Sequence, residues 1–164
     1  MKLVYLSLGS NLGDRAAHLR RALDELAAAG IEVARVSAFY WTEPVDYRPQ
    51  PWFLNAVAEV RTELLPSRLL STLQRIELKM GRRRTVPKGP RTIDLDILFY
   101  DNAVVRTSAL TIPHPRMEER KFVLAPLSEL APDLRHPLTH KTVREMLSDT
   151  ADRSQIMRYE QSSS

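Results

Sequence analysis

The chain has 164 residues, of which 43% are hydrophobic and 27% charged. That is enough for one domain around a single core, and no apolar run approaches the roughly 20 residues of a membrane helix. No cysteine is present, which excludes disulfides and thiolate metal sites. The formal net charge of +4 comes from 24 Lys and Arg against 20 Asp and Glu, a modest excess that is unevenly spread. Arg82, Arg83, Arg84, Lys88 and Arg91 fall within ten positions without an acid, and Arg116, Arg120 and Lys121 form a second basic group. Both groups are suited to polyanions. Met1-Lys2 leads directly into an apolar strand pattern with no export signal, so a soluble cytoplasmic protein is expected.

Residues 3–8 read as a buried first strand ended by Gly9, and residues 14–29 as a helix with a Leu19, Leu23 and Leu26 stripe and Gly30 as its stop. Residues 31–40 are expected to form one second strand. Residues 42–51 are a loop marked by Pro44, Pro49 and Pro51. A third strand is expected over Phe53–Thr62. Pro66 then opens a helix carrying Leu69, Leu70, Leu73, Ile76 and Met80 at helical spacing. After the basic loop, residues 91–100 alternate as a fourth strand. The order βαββαβ predicts an α+β fold, a ferredoxin-like core of antiparallel strands covered by helices on one face, with a C-terminal extension. In that extension, residues 104–112 supply one or two short strands, and helices are expected over Lys121–Leu130 and Val143–Asp149. A single domain is expected over residues 1–160, and the polar residues 161–164 are expected to be disordered.

Within the fourth strand, alternation places Ile93, Leu95, Ile97 and Phe99 on one face and Asp94 and Asp96 together on the other. Two carboxylates side by side repel unless a cation lies between them, and oxygen-only ligands favour a hard ion such as Mg²⁺. A solvated strand face is the plainer alternative, and the neighbouring arginines weigh against it. Gly9-Ser10-Asn11-Leu12-Gly13-Asp14 joins a strand to a helix but lacks the Lys-Ser/Thr of a P-loop. It reads as a tight turn with Asp14 as helix cap, where Asn11 could still offer its amide to a ligand. His114, stiffened between Pro113 and Pro115 just before the second basic group, is suited to donating a hydrogen bond to phosphate. Acidic pair, arginine groups and fixed histidine together are the parts that hold a metal-bound triphosphate.

Five segments occur in one order: Gly9-Ser10-Asn11-Leu12-Gly13; Phe53-Leu54-Asn55-Ala56-Val57; Gln74-Arg75-Ile76-Glu77 with Gly81-Arg82-Arg83-Arg84; Gly89-Pro90-Arg91-Thr92-Ile93-Asp94-Leu95-Asp96; and Pro113-His114-Pro115-Arg116-Met117. In these the chain resembles the 6-hydroxymethyl-7,8-dihydropterin pyrophosphokinase family of folate biosynthesis, over residues 3–132. The resemblance implies transfer of the β,γ-pyrophosphoryl group of ATP to the pterin hydroxymethyl oxygen, releasing AMP. It implies two Mg²⁺ ions on Asp94 and Asp96. It implies Arg82, Arg91 and Arg120 as catalytic phosphate contacts, and Gln74, Glu77, Arg84, Ile97, Thr111, His114 and Arg116 around ATP. On the pterin side it implies Asn11, Thr42, Pro44, Val45, Phe53, Asn55 and Phe122, with the two phenylalanines stacking on the heterocycle and Asn55 meeting its edge. The partners so implied are small molecules, with no nucleic acid and no membrane, and a monomer is expected. The chain departs from the family pattern in having Thr85-Val86-Pro87-Lys88 where members carry a loop Trp, Asp46 in place of Gly, and Glu118 in place of His. The alternative of another class is an RRM-like RNA-binding module, which shares the strand order and a basic surface. No stretch matches its RNP1 pattern.

Overall fold

The computed structural model describes residues 1–44, 50–81 and 92–160. Thirteen short elements follow one another: β1 (Lys2–Ser10), α1 (Arg15–Ala28), β2 (Glu32–Val36), β3 (Tyr40–Thr42), β4 (Phe53–Thr62), α2 (Pro66–Lys79), β5 (Asp94–Tyr100), β6 (Val105–Arg106), β7 (Thr111–Ile112), a 3₁₀ turn (Met117–Glu119), α3 (Lys121–Leu130), α4 (Val143–Asp149) and β8 (Ile156–Arg158). The main sheet is antiparallel in the order β5-β1-β4-β3-β8, with β2 also pairing β4. This is the expected split arrangement: β1 and β4 are central because each crossover helix skips one strand position, α1 carrying the chain from β1 to β2 on the far side of β4, and α2 carrying it from β4 to β5 on the far side of β1. β6 and β7 form a separate ribbon. None of the described helices is long and apolar enough to cross a membrane.

Asp14 caps α1 as its sequence position implies, its carboxylate accepting from the Ala17 amide at 3.1 Å. Gly9, expected to end the first strand, lies inside β1 opposite Asn55 of β4 and Asp94 of β5. The expected single strand over residues 31–40 is two strands. β2 bulges between Val33 and Arg35 and stops at Val36, and β3 resumes at Tyr40. Across the break, Ser37 donates its amide to the Val57 carbonyl at 2.9 Å while its hydroxyl accepts from the Val57 amide at 3.0 Å. A side chain thereby replaces one carbonyl of the ladder.

Helices cover both faces rather than one. On the first face, Leu19, Ala22 and Leu26 of α1 and Leu69, Leu73 and Ile76 of α2 pack on Val4, Leu6, Leu8, Leu54, Ala56, Leu95 and Ile97. On the second, Val123, Leu124 and Leu127 of α3 and Val143 and Met146 of α4 pack on Tyr5, Val57, Leu98 and Phe99. Phe99 therefore lies opposite Leu95 and Ile97, contrary to simple alternation. The cause is a bulge: Leu6 pairs with Ile97 and Tyr5 with Phe99, so Leu98 is extra and the side-chain phase shifts by one. β8, which nothing in the sequence pattern marked, joins the sheet beside β3 and is followed by Tyr159, whose ring packs against Phe39 and Trp41.

Candidate active site

Three adjacent strands put their site residues in register. Asp94 of β5 pairs with Gly9 of β1, and Gly9 pairs with Asn55 of β4; one step along, Asp96 pairs with Ser7 and Ser7 with Val57. Directly paired residues of an antiparallel sheet point to the same face. All of these therefore share the second face. Between Asp94 and Asn55 stands only the hydrogen of Gly9. A Cβ there would overlap Asn55 Oδ1 and lie 3.6 Å from the Phe53 ring. The glycine thus opens the row and lets Asn55 reach towards the carboxylate side.

Asn55 is buried and donates through Nδ2 to the hydroxyl of Thr42, so its Oδ1 is aimed by a partner on the neighbouring strand. Thr42 is itself buried and pairs with Phe53. Pro44 is buried beside it. Phe53 and Phe122 are both partly buried, Phe53 at the start of β4 and Phe122 in the first turn of α3, where it packs on the second core. Arg120 lies over the Phe122 ring at 5.6 Å from its centroid. Thr42, Phe53 and Asn55 thereby share the second face, on which Phe122 also packs, with Val45 outside the described residues. Asn11 is fully buried and its Nδ2 donates to Gln50 Oε1 at 2.8 Å and to the Pro51 carbonyl at 3.1 Å. Those two bonds occupy both amide protons in fixing the approach to β4.

Asp94 and Asp96 are half-buried and share the second sheet face as expected. Among the described residues no group of three or more His, Asp or Glu could hold a metal, so a metal held here would rest on the two carboxylates of Asp94 and Asp96. That suits Mg²⁺, which binds through one or two carboxylates and fills its remaining positions with water and phosphate oxygens. β5 is an edge strand, and Glu77 of α2, itself buried, takes the amide of Leu95 between the two aspartates at 2.8 Å. This hydrogen bond fixes the strand that carries the acids. Ile97 points its side chain into the first core, leaving only its backbone for a ligand, whereas Gln74 is exposed on α2. Thr111 sits in the β6–β7 ribbon, paired with Arg106.

His114 is held by its amide donating to the Leu98 carbonyl at 3.0 Å, which hangs it on β5. Its Nδ1 accepts from the Arg116 amide at 3.2 Å, so the proton sits on Nε2. Burial, with Arg120 and then Arg116 adding repulsion, pulls its pKa down to about 4 despite the opposing pull of Asp94. At neutral pH it is an uncharged donor facing both the carboxylate and an arginine. Arg116 pairs with Glu119 at 3.6 Å on the exposed side of the 3₁₀ turn. Arg82, Arg84 and Arg91 lie outside the described residues. Sequence reasoning missed Gly9 as a site residue, which the strand pairing reveals, and the Glu77 bond to Leu95, which depends on how α2 packs on β5.

The family model for 7,8-dihydro-6-hydroxymethylpterin-pyrophosphokinase (HPPK) matches residues 5–132. The chain belongs to the HPPK family. It is 49% identical over 129 residues to the Bacillus subtilis 2-amino-4-hydroxy-6-hydroxymethyldihydropteridine pyrophosphokinase, covering 78% of this chain and 77% of that one. Identity to the Methylorubrum extorquens enzyme of the same name is 48% over 149 residues, 90% of this chain and 93% of the relative. The folic acid synthesis protein fol1 of Schizosaccharomyces pombe is 49% identical over 147 residues, 89% of this chain, and the chain spans 20% of its length, as it does of the Pneumocystis carinii protein. Among solved structures, Plasmodium falciparum HPPK-DHPS with pterin and p-hydroxybenzoate superposes with a TM-score of 0.71 at 16% identity, over 90% of this chain and 42% of that one. That likeness shows the fold, a ferredoxin-like α+β core. The strand order shared with RRM modules is accounted for by the same membership.

Proposed function

We propose that this chain transfers the β,γ-pyrophosphoryl group of ATP to the hydroxymethyl oxygen of 6-hydroxymethyl-7,8-dihydropterin, yielding AMP and the pterin diphosphate. The observation that supports this reading is the register row Asp94–Gly9–Asn55, in which the carboxylate proposed for a cation and the amide proposed for the heterocycle share one sheet face with a glycine between them. Transfer between a nucleotide and a flat acceptor needs that adjacency.

In this reading Asp94 and Asp96 hold two Mg²⁺ ions, which when bound offset triphosphate charge and assist the entering and leaving oxygens. The chain's own groups do the rest. Asn55 Oδ1, aimed by Thr42, accepts from the pterin edge, and Phe53 and Phe122 lie against its faces. Orientation of the acceptor hydroxyl then follows from a rigid sheet rather than from a loop. His114 donates Nε2–H to a phosphate oxygen while staying neutral, and Arg120 supplies charge where negative charge builds up. Arg82, Arg84, Arg91 and Arg116 complete the phosphate and nucleotide contacts, with Gln74, Ile97 and Thr111 around the base and ribose. A cytoplasmic monomer acting on these two small molecules completes the proposal.

The test is incubation with Mg-ATP labelled at the β or γ phosphate and the dihydropterin alcohol. Both labels are expected in the pterin diphosphate, with AMP as the nucleotide product. ADP with only the γ label transferred would replace pyrophosphoryl transfer by a monophosphate kinase.

A further inference from the structure

α3 carries Arg120 and Phe122 at its start, yet its N-cap residue, Arg120, makes no side-chain capping bond. The cap comes from elsewhere in the chain. The first helical amide, Lys121 N–H, donates to Asp152 Oδ2 at 2.8 Å, while the other oxygen of that carboxylate accepts from Ser154 N–H at 2.8 Å. A carboxylate at this point also faces the positive end of the helix dipole. Three residues further on, Gln155 exchanges bonds with Glu43: its amide donates to Glu43 Oε1 at 2.7 Å, and its carbonyl accepts from Glu43 N–H at 3.3 Å. Ile156 then pairs with Thr42. One short segment is therefore fastened at one end to the turn bearing Arg120 and Phe122, and at the other to the stretch bearing Thr42 and Pro44. Four extended residues span at most about 14 Å, so these two walls are tied at close range. The root of the segment is fixed too, Thr150 N–H donating to Met146 of α4 at 3.0 Å. All of it lies beyond the residues matched by the family model, which end at 132.

We infer that Asp152 is a positioning residue: by capping α3 from the C-terminal segment, it sets where Arg120 and Phe122 stand relative to the Thr42 wall of the acceptor site. Its bearing on catalysis rests on the function proposed above. Loss of the cap leaves the Lys121 amide to water and frees the first turn to shift, and a displacement of about 1 Å at reacting groups costs up to 10²-fold in rate.

The test compares Asp152→Ala and Asp152→Asn with Thr142→Ala, which deletes the side-chain cap of α4 and so provides a destabilised control away from the site. Asp152→Ala is expected to lower kcat/KM for the dihydropterin about tenfold relative to Thr142→Ala, and Asp152→Asn, which keeps one acceptor oxygen, to recover most of it. Equal kcat/KM in Asp152→Ala and Thr142→Ala would overturn the inference. Hydrogen exchange at the Lys121 amide gives a reading independent of turnover: protection is lost in Asp152→Ala if the cap holds the turn, and unaltered protection overturns it as well. A wild-type chain that forms no AMP would sink the proposed function alone, and the Lys121 exchange would still decide the role of Asp152.

Discussion

The guanidinium of Arg120 stands 5.6 Å above the ring of Phe122, so the cation proposed for the phosphates and the ring proposed for the pterin rest on each other. Such a contact is worth about 0.5–1 kcal/mol where solvent has access, and in the proposed function it would couple the two substrate sites. Replacing each with Ala, singly and together, should give a non-additive loss in log kcat/KM, with a coupling of about 0.5–1 kcal/mol. Additive losses would mean that the two side chains act independently.

Gly9→Ala puts a methyl group where Asn55 Oδ1 now lies. The strand itself tolerates Ala, so the effect should fall on the amide. The expected result is a KM for the dihydropterin raised more than about tenfold, a Kd for a non-hydrolysable Mg-ATP analogue within about twofold of wild type, and a stability loss of about 1–3 kcal/mol from overpacking. An unaltered pterin KM would detach Asn55 from that substrate.

Asp94→Asn and Asp96→Asn remove a charge at nearly constant size. Each should reduce kcat by about three orders of magnitude, the several kcal/mol that a metal contributes to transition-state charge, with the thermal midpoint held within a few degrees. Titration with Mg²⁺ in the presence of the ATP analogue should show the loss of metal affinity directly. Near-normal turnover in the double variant would reduce the pair to a solvated strand face.

Glu59 governs an acid limb of stability remote from the site. It is buried, with Arg35 forming two bonds to it at 2.7 and 3.0 Å and the Tyr5 hydroxyl a third at 2.7 Å. Chiefly the Arg35 bonds hold its pKa below the usual carboxylate range, and burial opposes them. In the unfolded chain the group regains its ordinary value, so the unfolded state binds more protons as pH falls. The stabilisation is therefore present above the ordinary carboxylate pKa and is lost as pH drops through the depressed one. Glu59→Gln should cost about 1–3 kcal/mol at pH 7, below the range for a fully buried pair because Arg35 is half exposed. It should also flatten the fall in urea midpoint below about pH 4.5. A parallel pH dependence in variant and wild type would rule this out.

The helices and the long strand β4 were legible because each is apolar in one stripe or along one face, and Asp14, Gly30 and Pro66 mark their ends as sequence rules say they should. Where the reading failed, the cause is specific. Alternation assigns faces only when one face is polar, and β5 beyond Asp96 is apolar on both, so the phase shift at Leu98 leaves no trace in composition. The split at Ser37 hides because a hydroxyl stands in for a carbonyl, and Ser does not look like a strand break. β8 is three residues long and owes its place to Tyr159 packing on Phe39 and Trp41, more than a hundred positions away. In the site, Asp94, Asp96 and His114 were visible as residue types, and Phe53 and Asn55 only through the family resemblance. What the sequence could not display is the lateral register that makes neighbours of Asp94, Gly9 and Asn55.

β1 runs from Lys2 at one rim of the sheet to Gly9 at the other, about 25 Å of extended chain at the strand rise. The two ends of the polypeptide are thus unequal handles. A fluorophore, affinity tag or surface linker attached ahead of Met1 stands at the rim opposite Gly9, beside Glu63, away from Asp94 and Asn55. The same group placed after Tyr159 would follow β8, whose Ile156 pairs with Thr42 and whose end is bonded to Phe39, so that its pull would bear on the strand that aims Asn55. Single-molecule or immobilised measurements on this protein belong on the amino-terminal side.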